Sequence, residues 1–407
     1  MSETTNSDGT LNRRAFYGAL VHSKSITEIE YIESALLGID EHGRIAFIEH
    51  EVEPDDVVQR ITQRGWNRDC VYILNQGEFL MPGMIDTHTH APQYVNLAYG
   101  QQFELLDWLK HVTFPTEKRF DDPHYAASTY ETVVQRLIDC GTTTVCYYGT
   151  LHLTTSILAT ICHRKGQRAF VGKCNMDRES ADDYQEASAE VDLIAQRDCG
   201  VSHCPNSNFN LRSGATRVGA LLDRGIKVGL GTDVSGGCNI GILSAIRSAS
   251  TASKTIAFQQ RDAATQDGTA EQGSFASQHL SVDTLFYLAT MGGAKVASVD
   301  KLVGDFTVGK EFDALLIQTG AQLSTAFETG VNCVAHNVNS VLAIAAQLAT
   351  QPSPTHFAGA EYGAGVLVEH NDGLPKIVEK FLFGGDDRNI ASVFVRGRAI
   401  GGARPLS

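Results

Sequence analysis

The stretch MPGMIDTHTHAPQY, Met81 to Tyr94, decides how the rest of the chain is interpreted. It places His88 and His90 one residue apart, behind Asp86, at the end of an apolar run. A β-strand sends alternate side chains to the same face, so these three side chains are predicted to point one way. Two neighbouring imidazoles supply half of a metal site, and the pattern therefore predicts metal ligands where a strand meets a loop.

A second apolar segment, VGLGTD, ends in Asp233. An aspartate in this position can simply cap the next helix, and a single His-x-His is often incidental. The carboxyl ends of parallel strands are, however, where an α/β barrel gathers its active site. Two histidines and a carboxylate suit zinc or iron with one position left for water. We therefore expect His88, His90 and Asp233 to hold a metal ion together.

Two further polar residues near predicted strand ends have competing interpretations. His203 lies in SHCPNSN, where a proline and two asparagines favour turn chemistry over metal ligation. Gln93 follows His90 by three residues, and its amide offers the donor and the acceptor needed to read an amide-containing heterocycle. Most surface glutamines have no such role, so the hypothesis that Gln93 binds a heterocycle depends on its position beside the histidines.

The composition narrows the classes of partner and compartment. The 407 residues carry a formal net charge of −14, which repels phosphate backbones and anionic membranes and favours a small neutral ligand over nucleic acid or membrane. The nine cysteines include no Cys-x-x-Cys pair, so a disulfide framework or a cysteine zinc site is not expected. The polar amino-terminal segment and the scattered thiols favour a cytoplasmic enzyme.

The order of predicted elements divides the chain into two units. Residues 15–80 are predicted to form short strands joined by turns. Strand patterns occur again in FDALLIQT and SVFVRGRAIGG, towards the carboxyl terminus. Between them, residues 81–305 alternate strands with helices, which is typical of a parallel α/β domain. We expect residues 15–80 and 306–407 to form one β domain around a barrel domain at 81–305.

Several longer stretches carry a family resemblance. They include GTTTVCYYGTLH, GQRAFVGKCNMD, HCPNSNFNLRSG and KVGLGTDVSGG, beside the stretch that contains the two histidines. The Ala-Pro-Gln after His90, the block from Trp108 to Phe120 and the GDDRN turn at 385–389 narrow the match. Together these residues resemble the guanine deaminase family of the metal-dependent amidohydrolase superfamily.

The resemblance implies a TIM-like (β/α)₈ barrel with a β-sandwich built from both chain ends, as a cytoplasmic homodimer. It implies zinc held by His88, His90, a third histidine and Asp233, and hydrolysis of guanine to xanthine and ammonia. Asp233 would take the proton of the attacking water, and a glutamate in a His-x-x-Glu motif would protonate the base. The implied substrate-binding residues are His90, Ala91, Pro92, Gln93 and Asp233.

One segment of the family pattern is missing from this chain. Only 25 residues separate Asp177 from His203, where the family has strands carrying Pro-Arg-Phe, His-x-x-Glu and an Ala-His histidine. The 143 positions from His90 to Asp233 hold four or five barrel units at about 31 residues each. We therefore expect an incomplete barrel of about five of eight strands. A catalytically impaired relative that acts as a dimer partner, or an amidohydrolase for another heterocycle, are the alternatives.

Overall fold

The computed structural model describes residues 10–173, 197–267, 275–319 and 371–406, together with 366, 368 and 369. The strands are β1 (Arg14–Ser25), β2 (Glu28–Ile39), β3 (Ile45–Glu49), β4 (Val71–Ile73), β5 (Glu78–Pro82), β6 (Met84–Thr89), β7 (Thr142–Gly149), β8 (Arg168–Lys173), β9 (Gly200–His203), β10 (Lys227–Leu230), β11 (Ala314–Gln318), β12 (Ile390–Val395) and β13 (Arg398–Gly401). The helices are α1 (Val57–Gln63), α2 (Leu105–Trp108), α3 (Phe114–Glu117), α4 (Pro123–Asp139), α5 (His152–Lys165), α6 (Pro205–Asn210), α7 (Val218–Asp223), α8 (Ile242–Asp267), α9 (Val282–Tyr287), α10 (Gly293–Val296) and α11 (Leu374–Gly384).

Strands from both ends of the chain share one eight-stranded sheet. Its order is β13-β12-β11-β5-β1-β2-β3, with β4 beside β1. The two ends meet where β11 pairs antiparallel with β5, for example Leu316 opposite Leu80. The rings of Phe16, Phe312 and Phe394 lie in mutual contact within the core on this sheet, with centroids 5.5–5.7 Å apart. Burial of these rings therefore joins sequence segments almost 380 residues apart.

The strands of the middle segment form a parallel arc. β6, β7 and β8 pair in that order, and β9 pairs with β10. The two groups are joined where Asp233 N donates to His88 O (2.8 Å) and His90 N donates to Val234 O (3.1 Å). Within the described ranges the arc therefore runs β8-β7-β6-β10-β9. This mixed α/β architecture, a partial barrel of five strands with a separate sheet, confirms the predicted fold class.

Helices α4 and α5 cover the outside of the arc. Asp122 caps α4, because its carboxylate accepts a hydrogen bond from His124 N (2.8 Å). One face of α4 buries Tyr130, Val133 and Leu137, the spacing of three and four residues expected of an amphipathic helix. Helices α4 and α5 pack against each other and against β7.

Some expectations fall outside the described residues. The sequence also contains His336 in NCVAHN, which we interpret as a coincidental match to the missing Ala-His element; it lies there, as does most of 320–374. The division into 15–80 with 306–407 and 81–305 stays a prediction. No helix in the described part of the chain combines the length and apolar character needed to cross a membrane.

Candidate metal centre

The predicted histidine pair lies at the carboxyl end of β6. His88 belongs to the strand, and His90 is the first residue after it. Because alternate residues of a strand face the same way, both imidazoles leave the backbone on one side. Their Nε2 atoms lie 3.2 Å apart. The structure therefore brings the two histidines together, and each directs its Nε2 atom to the same point.

Asp233 reaches this point from the loop after β10. The ladder of β10 ends at Leu230, three residues earlier than the sequence interpretation placed the strand end. The backbone leaves the strand because Thr232 N donates to the Asp86 carboxylate (3.1 Å). At Gly231 a Cβ atom would lie 2.6 Å from the Ser202 hydroxyl, so only glycine fits the close approach. Asp233 itself adopts φ +46°, a left-handed conformation that is uncommon outside glycine.

The three polar atoms form a nearly equilateral triangle. Asp233 Oδ1 lies 3.2 Å from His88 Nε2 and 3.4 Å from His90 Nε2. Zinc bonds of about 2.0–2.1 Å at tetrahedral angles separate neighbouring ligand atoms by about 3.3–3.4 Å. The triangle therefore matches one face of a zinc tetrahedron. Within the described ranges it is the one cluster of three or more His, Cys, Asp or Glu side chains close enough to hold a metal ion.

The protonation states of His90 and Asp233 suit metal binding. Burial lowers the pKa of His90 to about 4, so its imidazole is neutral near pH 7. Burial by itself raises the pKa of Asp233, but its contacts with His88 and His90 outweigh this and lower the pKa overall. A neutral imidazole and an ionised carboxylate are the forms that bind a divalent cation.

Asp86 shares the strand face of the histidines but turns its carboxylate to the backbone. It is completely buried and accepts hydrogen bonds from Thr232 Oγ1 (2.5 Å), Thr232 N (3.1 Å) and His88 N (3.1 Å). Burial raises its pKa to about 6. Asp86 thus connects β6 to the segment that carries Asp233, and it sets the distance between the predicted ligands.

Tyr148, near the end of β7, is a neighbour that sequence reasoning missed. Its ring centroid lies 4.5 Å from that of His88 and 5.3 Å from that of His90. The available signal was its position at the carboxyl end of the strand next to β6, in TTTVCYY. The tyrosine ring forms an aromatic wall that restricts the orientation of both imidazoles.

The segment Ala91–Asn96 continues from His90 as a 3₁₀ turn. Ala91, Pro92 and Gln93 are all buried there. Gln93 donates from Nε2 to Glu117 Oε1 (2.8 Å), and its Oε1 accepts from Ser235 N (3.2 Å). The structure therefore places Gln93 between the loop after Asp233 and helix α3. Glu117 was missed as a functional candidate, although it lies inside the Trp108–Phe120 block.

His203 does not join the triangle. Its neighbour Ser202 lies within the arc, with Oγ 2.6 Å from Thr87 Oγ1. Alternation along β9 turns His203 to the opposite side, where it lines a cavity beside Val218 and Ala249. Its Nδ1 is buried and has no hydrogen-bond partner within the described ranges. The turn predicted after His203 is instead helix α6, which begins at Pro205, and the expectation that His203 holds no metal stays a prediction.

The chain matches the amidohydrolase family over two stretches, residues 79–191 and 184–400. It is 29% identical to guanine deaminase of Dictyostelium discoideum, over 95% of this chain and 98% of that protein. It is 30% identical to the probable guanine deaminase of Schizosaccharomyces pombe, over 95% and 83%. Both alignments therefore cover nearly the whole of this chain.

The alignments also bear on the missing segment. The comparison with the Dictyostelium protein spans 494 positions, whereas this chain has 407 residues, so at least 87 positions have no counterpart here. The two family stretches meet between residues 184 and 191. This junction falls inside the short interval between Asp177 and His203, in agreement with the segment predicted to be absent.

Solved structures show the same fold. Guanine deaminase from C. acetobutylicum with bound guanine superposes with a TM-score of 0.71 at 23% identity, over 96% of this chain and all of that one. An adenosine deaminase from Xanthomonas campestris with bound zinc gives 0.66 at 17% identity, over 97% and 94%. The chain belongs to the amidohydrolase family, and within that family it is related to the guanine deaminase of Dictyostelium and the probable guanine deaminase of Schizosaccharomyces.

Proposed function

We propose that this chain is a zinc-dependent guanine deaminase, which hydrolyses guanine to xanthine and ammonia in purine catabolism. The observation that carries the proposal is the triangle of His88, His90 and Asp233, since its sides match a face of a zinc tetrahedron. The names of the two relatives supply the substrate, and the C. acetobutylicum structure of similar fold contains guanine.

The proposed metal ligands are His88, His90 and Asp233. The zinc in the similarly folded Xanthomonas enzyme supports this choice of metal. When bound, zinc supplies positive charge that activates water at neutral pH. Three protein ligands with one open position are the usual arrangement of a catalytic zinc site.

The protein groups would then share the remaining work. The Asp233 carboxylate would take a proton from the attacking water, and its left-handed backbone conformation holds it beside both imidazoles. His90, Ala91, Pro92 and Gln93 would contact the base on the side where β6 ends. Tyr148 would keep both imidazoles in position by packing against their rings.

The same proposal includes a homodimer in the cytoplasm. It also retains the division into a β domain, residues 15–80 and 306–407, and a barrel domain, residues 81–305. The shared eight-stranded sheet supports the first part of that division. Sedimentation of the purified chain would test the dimer.

The proposal is tested by zinc content and by product. The metal-free chain, incubated with zinc and freed of excess metal, is expected to retain about one zinc ion per chain and to form xanthine and ammonia from guanine. His90→Asn is expected to lose zinc affinity by about 10–100-fold or more, since loss of even a supporting partner costs that much. His124→Asn, an exposed histidine at the start of α4, is the matched control. Equal zinc retention by the His90 variant would contradict the assignment.

A further inference from the structure

Gln93 has an amide orientation that its two neighbours determine. The group facing Gln93 Oε1 is the backbone N–H of Ser235, which can only donate. The group facing Nε2 is the carboxylate of Glu117, which accepts when ionised. A flipped amide would set donor against donor and acceptor against acceptor. Both contacts therefore require the same orientation.

Glu117 is suited to this task by its position. Its carboxylate is partly buried at the end of α3, and its oxygen lies 2.8 Å from Gln93 Nε2. Gln93 is 5% exposed, so its amide has little access to water that could replace a lost partner. A buried amide hydrogen without an acceptor costs free energy, which gives Glu117 control over which end of the amide faces which neighbour.

The consequence concerns what Gln93 can offer to a ligand. An amide nitrogen carries two hydrogens, and Glu117 accepts one of them. The second hydrogen of the same group can serve a bound base. The oxygen, in contrast, is directed to the loop two residues beyond Asp233. Gln93 therefore approaches a ligand as a donor, in place of the donor-and-acceptor pair expected from its amide chemistry alone.

We propose that Glu117 is a positioning residue that orients Gln93 as a hydrogen-bond donor, so that the site selects purines with an acceptor at that place. The inference rests on the proposed function, in which Gln93 contacts guanine. Guanine offers three ring or carbonyl acceptors, O6, N7 and N3. An analogue that lacks the acceptor facing Gln93 should bind with the same affinity whether or not Glu117 is present.

The test measures binding to the zinc-loaded chain by equilibrium dialysis. The ligands are guanine and three analogues that each lack one acceptor: 2-aminopurine without O6, 7-deazaguanine without N7, and 3-deazaguanine without N3. For the unmodified chain one analogue is expected to bind about tenfold more weakly than guanine, the effect of one hydrogen bond to a buried group. In Glu117→Leu, which removes the acceptor, guanine is expected to bind about tenfold more weakly, while the affinity for that analogue stays within about twofold.

Two variants separate positioning from simple structural support. Glu117→Gln keeps an oxygen acceptor of the same reach and is expected to preserve selectivity better than Glu117→Leu. Asp107→Asn removes an exposed negative charge from α2, close along the chain, and is expected to change no affinity. Equal weakening of the binding of all four ligands in Glu117→Leu, or no weakening of any, would overturn the inference.

A ligand-free measurement separates this inference from the proposed function. In a chain with ¹⁵N-labelled glutamine, the Gln93 side-chain resonance is assigned by its loss in Gln93→Leu. Its hydrogens are expected to exchange at least about tenfold faster with solvent in Glu117→Leu than in the unmodified chain. Failure of the unmodified chain to bind guanine would overturn the proposed function, whereas unchanged exchange would overturn the role of Glu117.

Discussion

The guanidinium of Arg168 lies against the carboxylate of Asp313, with Nε 3.0 Å from Oδ2 and Nη2 3.1 Å from Oδ1. Both side chains are almost fully buried, at 7% and 2% exposure. Arg168 begins β8 of the barrel arc, and Asp313 immediately precedes β11 of the terminal sheet. This bidentate pair therefore connects the two sheets of the molecule through charge as well as apolar contact.

Arg168→Met is expected to lower the free energy of unfolding by about 3–5 kcal/mol, because it leaves the buried Asp313 carboxylate without its partner. Urea unfolding followed by circular dichroism measures the change. Arg13→Ala removes an exposed pair with Glu41 and is expected to cost about 1 kcal/mol or less. Similar losses in the two variants would contradict a special role for the buried pair.

Glu311 contributes to acid sensitivity. Burial by itself raises the pKa of this carboxyl, but its contacts with Arg168 and Arg396 outweigh burial and lower the pKa overall. A lowered folded-state pKa adds stability above the unfolded value of about 4.3, and that stability is lost as the pH falls through the folded pKa. Glu311→Gln is therefore expected to lose less stability than the unmodified chain between pH 6 and pH 3. Equal losses of stability in Glu311→Gln and in the unmodified chain over this pH range would refute the assignment.

Asp86→Asn is expected to weaken zinc binding by about 10–100-fold while His88, His90 and Asp233 remain present. The variant places an amide where a carboxylate accepts from both Thr232 and His88, so the loop that carries Asp233 loses part of its attachment to β6. Competition with a chromophoric zinc chelator measures the affinity. The exposed Asp69→Asn serves as a control, and an unchanged zinc affinity for the Asp86 variant would show that the loop is held by other contacts.

Restoring the missing segment is expected to accelerate deamination. The His-x-x-Glu element that the family resemblance implies would supply a proton donor, and a positioned acid or base contributes about 10²–10⁴-fold. The comparison is xanthine formation by the unmodified chain and by one that carries the segment of the Schizosaccharomyces relative between Asp177 and His203. Rates within tenfold of each other would mean that residues already present carry out the proton transfer.

Local sequence patterns were sufficient to predict the family, the mixed α/β fold and the three residues of the triangle. His88 and His90 lie one residue apart, so strand alternation alone predicts that they face the same way. Asp233 follows a short apolar segment, and the end of a parallel strand is a known place for a functional side chain. These signals are local because they depend on the two-residue alternation of side chains along a strand, which a few neighbouring residues are enough to show.

Only the tertiary structure decided which partners surround those atoms. Glu117 meets Gln93 across 24 residues, and Arg168 meets Asp313 across 145. The side of β9 that His203 occupies depends on where β10 and the covering helices pack. Such contacts have no sequence period, because they arise from how whole elements bury their apolar faces and pair their buried charges. Local order thus determined the three residues of the triangle, whereas packing decided which residues surround them.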